Sequence, residues 1–186
     1  MGRDKAMLEI DGVTMLERAI DLVRSAGIEP AVVGSFDESS RRVGVPVIPD
    51  DWSGAGPLGG IATALRGSES AWNLVIACDM PYLTTEWLEF LMRRALASSA
   101  DAIVPMNESG AEPLCAVYNK RAEAAIREAL ENGTRKVTDG LAKLRVDPIE
   151  LEEWKGFDLD GFLFKNMNLP ADYEEAKIRL GGRATK

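Results

Sequence analysis

Asn73-Leu74-Val75-Ile76-Ala77-Cys78-Asp79 is an unbroken apolar run of strand length that ends on an acid. Apolar residues at successive positions, without the alternation of a half-exposed strand, mark a strand covered on both faces. The neighbouring sequence supplies the covers. Ile61 to Arg66 and Thr85 to Ser98 read as helices on either side of it, and Ala102 to Pro105 and Pro113 to Tyr118 as further strands. Towards the N-terminus, Thr14 and Glu17 have the spacing of a capping box, Leu16, Ala19, Ile20 and Val23 share one helical face, and Gly27 is the stop. Ala31 to Gly34 and Val45 to Ile48 follow as short strands.

Towards the C-terminus, Lys120 to Glu131 is amphipathic and ends at Asn132-Gly133, and another helix is expected from about Arg135 to Leu144. Arg145 to Leu151 reads as extended, and Pro170 opens a last helix. Strands alternating with helices predict a three-layer α/β/α, Rossmann-like fold around a mainly parallel sheet. No repeat, low-complexity tract or linker divides the chain, so residues 1–180 are expected to form one domain, with 181–186 as a loose tail.

The chain has 186 residues, 46% hydrophobic and 28% charged, which suits one soluble domain with a sizeable core. Its net charge of -8 opposes a nucleic-acid partner, because duplex binding requires clustered cations against phosphates. No apolar run approaches the roughly 18 residues that cross a bilayer, and there is no signal-peptide pattern, so a cytoplasmic location without membrane contact is expected. Cys78 and Cys115 are too few for a disulfide framework and are expected as buried thiols. Histidine is absent. That removes histidine triads, histidine metal sites and the commonest general base, leaving carboxylate, lysine, cysteine or metal chemistry.

Ligands of open α/β sheets sit beyond the carboxyl ends of the strands. Gly34, Asp50, Asp79 and the pair Asn166 and Asn168 lie at such ends. Asp79 is placed to hold magnesium against a nucleotide phosphate, or alternatively to cap the turn that follows. The loop Gly54-Ala55-Gly56-Pro57-Leu58-Gly59-Gly60 contains GxGxxG, with Asp79 twenty residues beyond Gly59, the outline of a dinucleotide-dependent oxidoreductase. That fingerprint needs its first glycine directly after a strand, whereas Pro49 to Ser53 intervene, so a flexible turn into a helix is the simpler reading. Lys5, beside Gly2 and Arg3, is either a phosphate clamp or a solvated terminal lysine. Arg135-Lys136 is a second cationic spot, and the four tryptophans are spread too widely to suggest a stacking platform. Cys78 lies inside the apolar run, which disfavours a role as nucleophile.

In order along the chain stand Met1-Gly2-Arg3-Asp4-Lys5, Pro49-Asp50, Gly56-Pro57-Leu58-Gly59-Gly60, Cys78-Asp79-Met80-Pro81, Glu112-Pro113-Leu114 and Asn166-Met167-Asn168-Leu169-Pro170. This series resembles the molybdenum cofactor guanylyltransferases, from Met1 to about Leu180. The resemblance implies a nucleotidyltransferase fold, with GTP and molybdopterin as substrates and Mg2+ as cofactor. The terminal phosphate of molybdopterin would attack the α-phosphorus of GTP, releasing pyrophosphate without a covalent enzyme intermediate. A phosphate nucleophile is already an anion, which suits a chain without histidine. By the same resemblance Lys5 binds the triphosphate and acts with Asp79, the metal ligand. Asp50 meets the guanine or ribose side, Asn166 and Asn168 lie near metal and phosphates, and Gly56, Pro57, Leu58 and Gly59 shape the nucleotide pocket. Glu112-Pro113 and Arg135-Lys136 fall where the family receives the pterin.

Two features depart from the family pattern. Its members open with a hydrophobic strand and a Leu-Ala-Gly-Gly loop ahead of the lysine motif, so a fold without its first strand is expected, with two strand edges facing each other. Gly34 stands where many members carry an asparagine that contacts guanine. A transferase using CTP or a sugar phosphate, and a relative that binds nucleotide without turnover, remain the alternative readings.

Overall fold

The computed structural model describes residues 5–34 and 44–181. A 3-10 turn at Lys5–Met7 leads through the hairpin of β1 (Glu9–Ile10) and β2 (Val13–Thr14) into α1 (Met15–Ser25). There follow β3 (Val32–Val33), β4 (Val47–Ile48), α2 (Pro57–Gly67), β5 (Trp72–Ile76) and α3 (Thr85–Ala97). The second half carries β6 (Ala102–Asn107), β7 (Gly110–Ala111), β8 (Cys115–Asn119), α4 (Glu123–Glu131), α5 (Val137–Gly140), β9 (Val146–Ile149), α6 (Leu151–Trp154) and α7 (Pro170–Gly181).

Both faces of the central strands are apolar because both are covered. On β6 and β8, Ala102, Val104, Ala116 and Tyr118 pack with α2 and α4 through Leu58, Ile61, Leu65 and Ile126. The alternate residues Ile103, Cys115 and Val117 pack with Trp87, Leu88 and Leu91 of α3. Successive side chains of a strand point to opposite faces, so these strands serve two cores at once. The three-layer α/β arrangement is thus the one expected, although β5, which carries the apolar run, is only half-buried along its length and lines an apolar groove.

Strand direction is more mixed than that run suggests. β6 pairs with β9, and β3 with β4, in parallel. β5–β8, β6–β8 and β6–β7 are antiparallel. The physical reason is local. Asn107 Oδ1 accepts from Ser109 N at 2.7 Å, closing a tight reversal, so β8 returns beside β6 without a crossover helix. Burial of both faces reports helical cover and carries no information on direction.

Among the described residues, β5 has no strand partner on the edge away from β8, nor β3 on the edge away from β4. Between them lies an apolar groove of about 480 Å³, walled by Leu16 and Ile20 of α1, Ile61 of α2, Val32 and Val75. Two strand edges thus face each other across the groove.

Local features explain the remaining differences. α2 starts at Pro57 rather than Ile61, with Gly56 at φ 68 as its N-cap. Proline at the first helical position lacks a donor that would be unpaired there anyway, so a glycine- and proline-rich stretch begins a helix. α5 covers four residues instead of the expected ten. Arg135 Nη1 instead donates to Leu130 O at 3.1 Å and Thr134 O at 2.9 Å, closing the end of α4. α7 continues to Gly181, and the rest of the expected tail, 182–186, lies outside the described residues. Trp87 and Trp154 each make an edge contact to Phe164, and with Phe90 and Phe157 they form one aromatic cluster. The hairpin of β1 and β2, β7 and α6 are too short to show in the sequence pattern.

Candidate active site

Asp79 follows the end of β5, and its carbonyl accepts from Met167 N at 2.9 Å. Met167 is 1% exposed and packs with Ile10, Met15 and Ala176, which fixes the 166–168 segment beside Asp79. Asn168 then reaches Lys5. Its Oδ1 accepts from Lys5 Nζ at 2.7 Å, and the same ammonium lies 3.3 Å from Asp79 Oδ2. Lys5 is anchored by its neighbour Ala6, buried against Leu16, Ile20 and Val32. Asp172 stabilises the turn before α7. Its Oδ2 accepts from Leu169 N at 2.7 Å and Asn168 N at 3.0 Å, and the Leu169 bond is the first cause of its lowered pKa.

Lys5, Asp79 and Asn168 are therefore brought together at one spot. Asn166 Oδ1 is buried without a hydrogen-bond partner among the described residues, one residue from the Met167 tether. Gly2 and Arg3, read as part of the same phosphate clamp, lie outside the described residues.

The glycine loop divides its residues between groove and core. Pro57 and Gly60 line the same groove as Lys5 and Asp79. Leu58 is 0% exposed, and its side chain packs in the core. Gly59 leaves no room for a Cβ, which would lie 2.7 Å from that of Trp52. Asp50 is tied to this unit: its Oδ1 accepts from Trp52 N at 2.9 Å and from Thr63 Oγ1 of α2 at 3.1 Å. Thr63 was not legible as a site residue, since a lone threonine in a helix carries no motif.

Other candidates fall elsewhere. Arg135 has the structural role at the end of α4 described above. Glu112 accepts from Asn107 Nδ2, and its pKa is raised, first by burial and against that bond. Burial pushes the Cys115 thiol up to about 12, with Trp87 Nε1 donating to its Sγ, which disfavours the reactive thiolate. Pro49 to Ser53 do separate the end of β4 from Gly54, against the dinucleotide fingerprint.

Residues 1–146 match the MobA-like NTP transferase domain. The chain belongs to that family. Among its MobA-like relatives, a probable molybdenum cofactor guanylyltransferase of Pelotomaculum thermopropionicum is 34% identical over 96% of this chain and 86% of its own length. One of the same name from Opitutus terrae is 34% identical over 95% of this chain and 88% of its own. Molybdopterin-guanine dinucleotide biosynthesis protein A from Archaeoglobus fulgidus superposes with a TM-score of 0.84 at 26% identity, over 97% of this chain and 92% of that one. The 2-C-methyl-D-erythritol 4-phosphate cytidylyltransferase of Thermus thermophilus, at 16% identity and a TM-score of 0.70, shares the fold, over 95% of this chain and 94% of that one. A MobA-like NTP transferase is a nucleotidyltransferase, and the cluster at the end of β5 is its candidate active site.

Proposed function

We propose that this chain transfers GMP from GTP to the terminal phosphate of molybdopterin, forming the guanine dinucleotide cofactor. An oxygen of the molybdopterin phosphate bonds to the α-phosphorus of GTP while the bond from that phosphorus to the bridging oxygen breaks, and pyrophosphate leaves with the electron pair. The observation that carries the reading is the joining of Lys5, Asp79 and Asn168 beyond β5, in a chain whose relatives bear the guanylyltransferase name.

Lys5 supplies a cation for the triphosphate oxygens, which gain charge as the bond to pyrophosphate breaks. Asp50 accepts from donors of the guanine or ribose. Asp79 and Asn168, both held beside Lys5, and Asn166, one residue from the Met167 tether, would offer hard oxygen donors to Mg2+. This ion takes one or two protein carboxylates and completes its shell with phosphates and water. Asn166 Oδ1, buried and without a hydrogen-bond partner among the described residues, is the feature that most needs such a partner. When bound, Mg2+ neutralises phosphate charge and makes the pyrophosphate a better leaving group. Nothing here requires a proton-abstracting residue, in keeping with the absence of histidine.

The reading takes residues 1–180 as one catalytic domain, since the segment that holds Asn168 reaches back to Lys5. It also takes the protein as cytoplasmic and without nucleic-acid partners, supported by the net charge of -8. Among the described residues, no helix is long and apolar enough to cross a membrane.

The test is pyrophosphate release from the chain mixed with molybdopterin, Mg2+ and each of GTP, CTP, UTP and ATP. Release with GTP alone is expected. Release chiefly with CTP would move the protein to the cytidylyl branch, and GTP binding without release would make it a nucleotide-binding relative.

A further inference from the structure

Thr14 and Thr63 are the buried polar residues among those described. Thr14 is explained as the N-cap of α1, where it accepts from Glu17 N. Thr63 has no such local explanation. It sits in the second turn of α2, 0% exposed, where a threonine hydroxyl commonly bonds back to the carbonyl four residues earlier. Here the hydroxyl instead donates to Asp50 Oδ1 at 3.1 Å and accepts from Asp51 N at 3.2 Å.

The two adjacent acids are thereby given separate tasks. Asp51 pairs with Arg66 at 2.6 Å, one turn further along α2. Asp50 receives Thr63 Oγ1 and Trp52 N on one oxygen, which sets its side-chain torsions. Its Oδ2 takes no hydrogen bond among the described residues. An ionised carboxylate accepts and cannot donate, so an oxygen held at a fixed place suits a ligand edge made of N–H or O–H groups.

We infer that Thr63 is a positioning residue for nucleotide binding, holding Asp50 so that Oδ2 meets the donor groups of the nucleoside. The inference rests on the proposed role of Asp50 as a nucleotide contact. A hydrogen bond to a carboxylate orients the acceptor before binding, so less ordering is needed when the ligand arrives.

The test compares Mg2+–GTP affinity by titration calorimetry for the unsubstituted chain, Thr63→Val, Thr63→Ser, Asp50→Ala and Thr63→Val with Asp50→Ala, each first checked for a cooperative melt. Thr63→Val is expected to weaken GTP about tenfold, and Asp50→Ala by about thirtyfold or more, as for hydrogen bonds to a charged group. Thr63→Ser, which keeps the hydroxyl, stays within about twofold of the parent. Thr63→Val causes no further loss once Asp50 is alanine, which is the readout that a merely structural threonine would not give. Should Thr63→Val not fold, Thr63→Ala replaces it in both arms. Unchanged affinity in the threonine variant while Asp50→Ala is weakened overturns the inference, as does an additive loss in the double variant. Unchanged affinity in Asp50→Ala overturns the role of Asp50 itself, and a parent chain that does not bind GTP overturns both.

Discussion

Lys5 Nζ stands 3.3 Å from Asp79 Oδ2 across 74 residues of chain, and it also donates to Asn168 Oδ1. The pair is partly open, with side-chain exposures of 35% and 21%, so its Coulomb attraction is screened by water. Pairs of this kind contribute about 0–1 kcal/mol to stability. Their consequence is positional: a cation, a carboxylate and an amide oxygen share one spot at the end of β5.

Lys5→Met should therefore separate stability from binding. The melting temperature is expected to fall by no more than about 2–4 °C, the shift for about 1 kcal/mol in a chain of this size. Mg2+–GTP affinity is expected to drop about tenfold or more, the scale of a lost charge-assisted contact. Calorimetric titration beside a thermal melt reads both, and GTP affinity equal to the parent's would remove Lys5 from the site.

Mg2+ and GTP are expected to act together. Among the described residues, no three His, Cys, Asp or Glu side chains form a group that could hold a metal. Millimolar Mg2+ alone should leave the melting temperature unchanged, whereas Mg2+ with GTP at about 100 times its Kd should add about 2.7 kcal/mol of apparent stability. Asp79→Asn should abolish the Mg2+-dependent part of that gain. A large shift with Mg2+ alone would point to a protein-only metal site.

Acid stability should depend on Asp101. Its carboxylate accepts from Arg145 N, Nε and Nη2 and from Arg121 Nε, and the Arg145 side-chain bonds are the first cause of a pKa held well below the usual range, with burial opposing. A group with a lowered folded pKa adds stability above its unfolded value, near 3.9, and loses it as pH falls towards the folded value. The parent should therefore lose stability progressively below about pH 4–5, while Asp101→Asn flattens that part of the profile. At pH 7 the variant should cost about 1–2 kcal/mol, a figure kept low because both arginines are largely solvated. Urea melts from pH 2.5 to 7 check this, and parallel profiles for the two proteins would refute it.

The groove between β3 and β5 should respond to being filled. Unpaired strand edges beside apolar walls are a site for pairing and association. Joining a five-residue apolar strand and a Leu-Ala-Gly-Gly loop ahead of Met1 is expected to raise the melting temperature by about 5 °C or more. It should also reduce binding of a hydrophobic dye. A Gly/Ser extension of equal length is the control, and equal melts for the two extensions would count against the groove as a strand slot.

Much of this architecture is written locally. The run from Asn73 to Cys78 announces a doubly covered strand, Thr14 with Glu17 announces the start of α1, and the capping box is present as expected. Asp79 was legible because an acid ending an apolar strand is conspicuous, and Lys5 and Asn168 because six short motifs keep their order. Ala102 to Pro105 and Pro113 to Tyr118 are legible as strands from their apolar residues, but their mutual direction is not. It depends on a reversal at 107–110 whose residues carry little periodic signal. Pro57 was misread for a related reason: proline and glycine suggest a loop unless the geometry shows that they occupy the first turn of a helix.

Sequence by itself determined the layers, the family and the identity of the residues at strand ends, because periodicity and motif order are properties of neighbouring positions. Tertiary structure alone decided which of those residues meet. Lys5 contacts Asp79 and Asn168 because Ala6 and Met167 are buried on either side of the site, and burial of this kind is a long-range property. Likewise, the assignment of Asp50 to Thr63 and of Asp51 to Arg66 follows from how the loop after β4 lies against α2. Two adjacent aspartates look equivalent in sequence; packing against one helix makes them different.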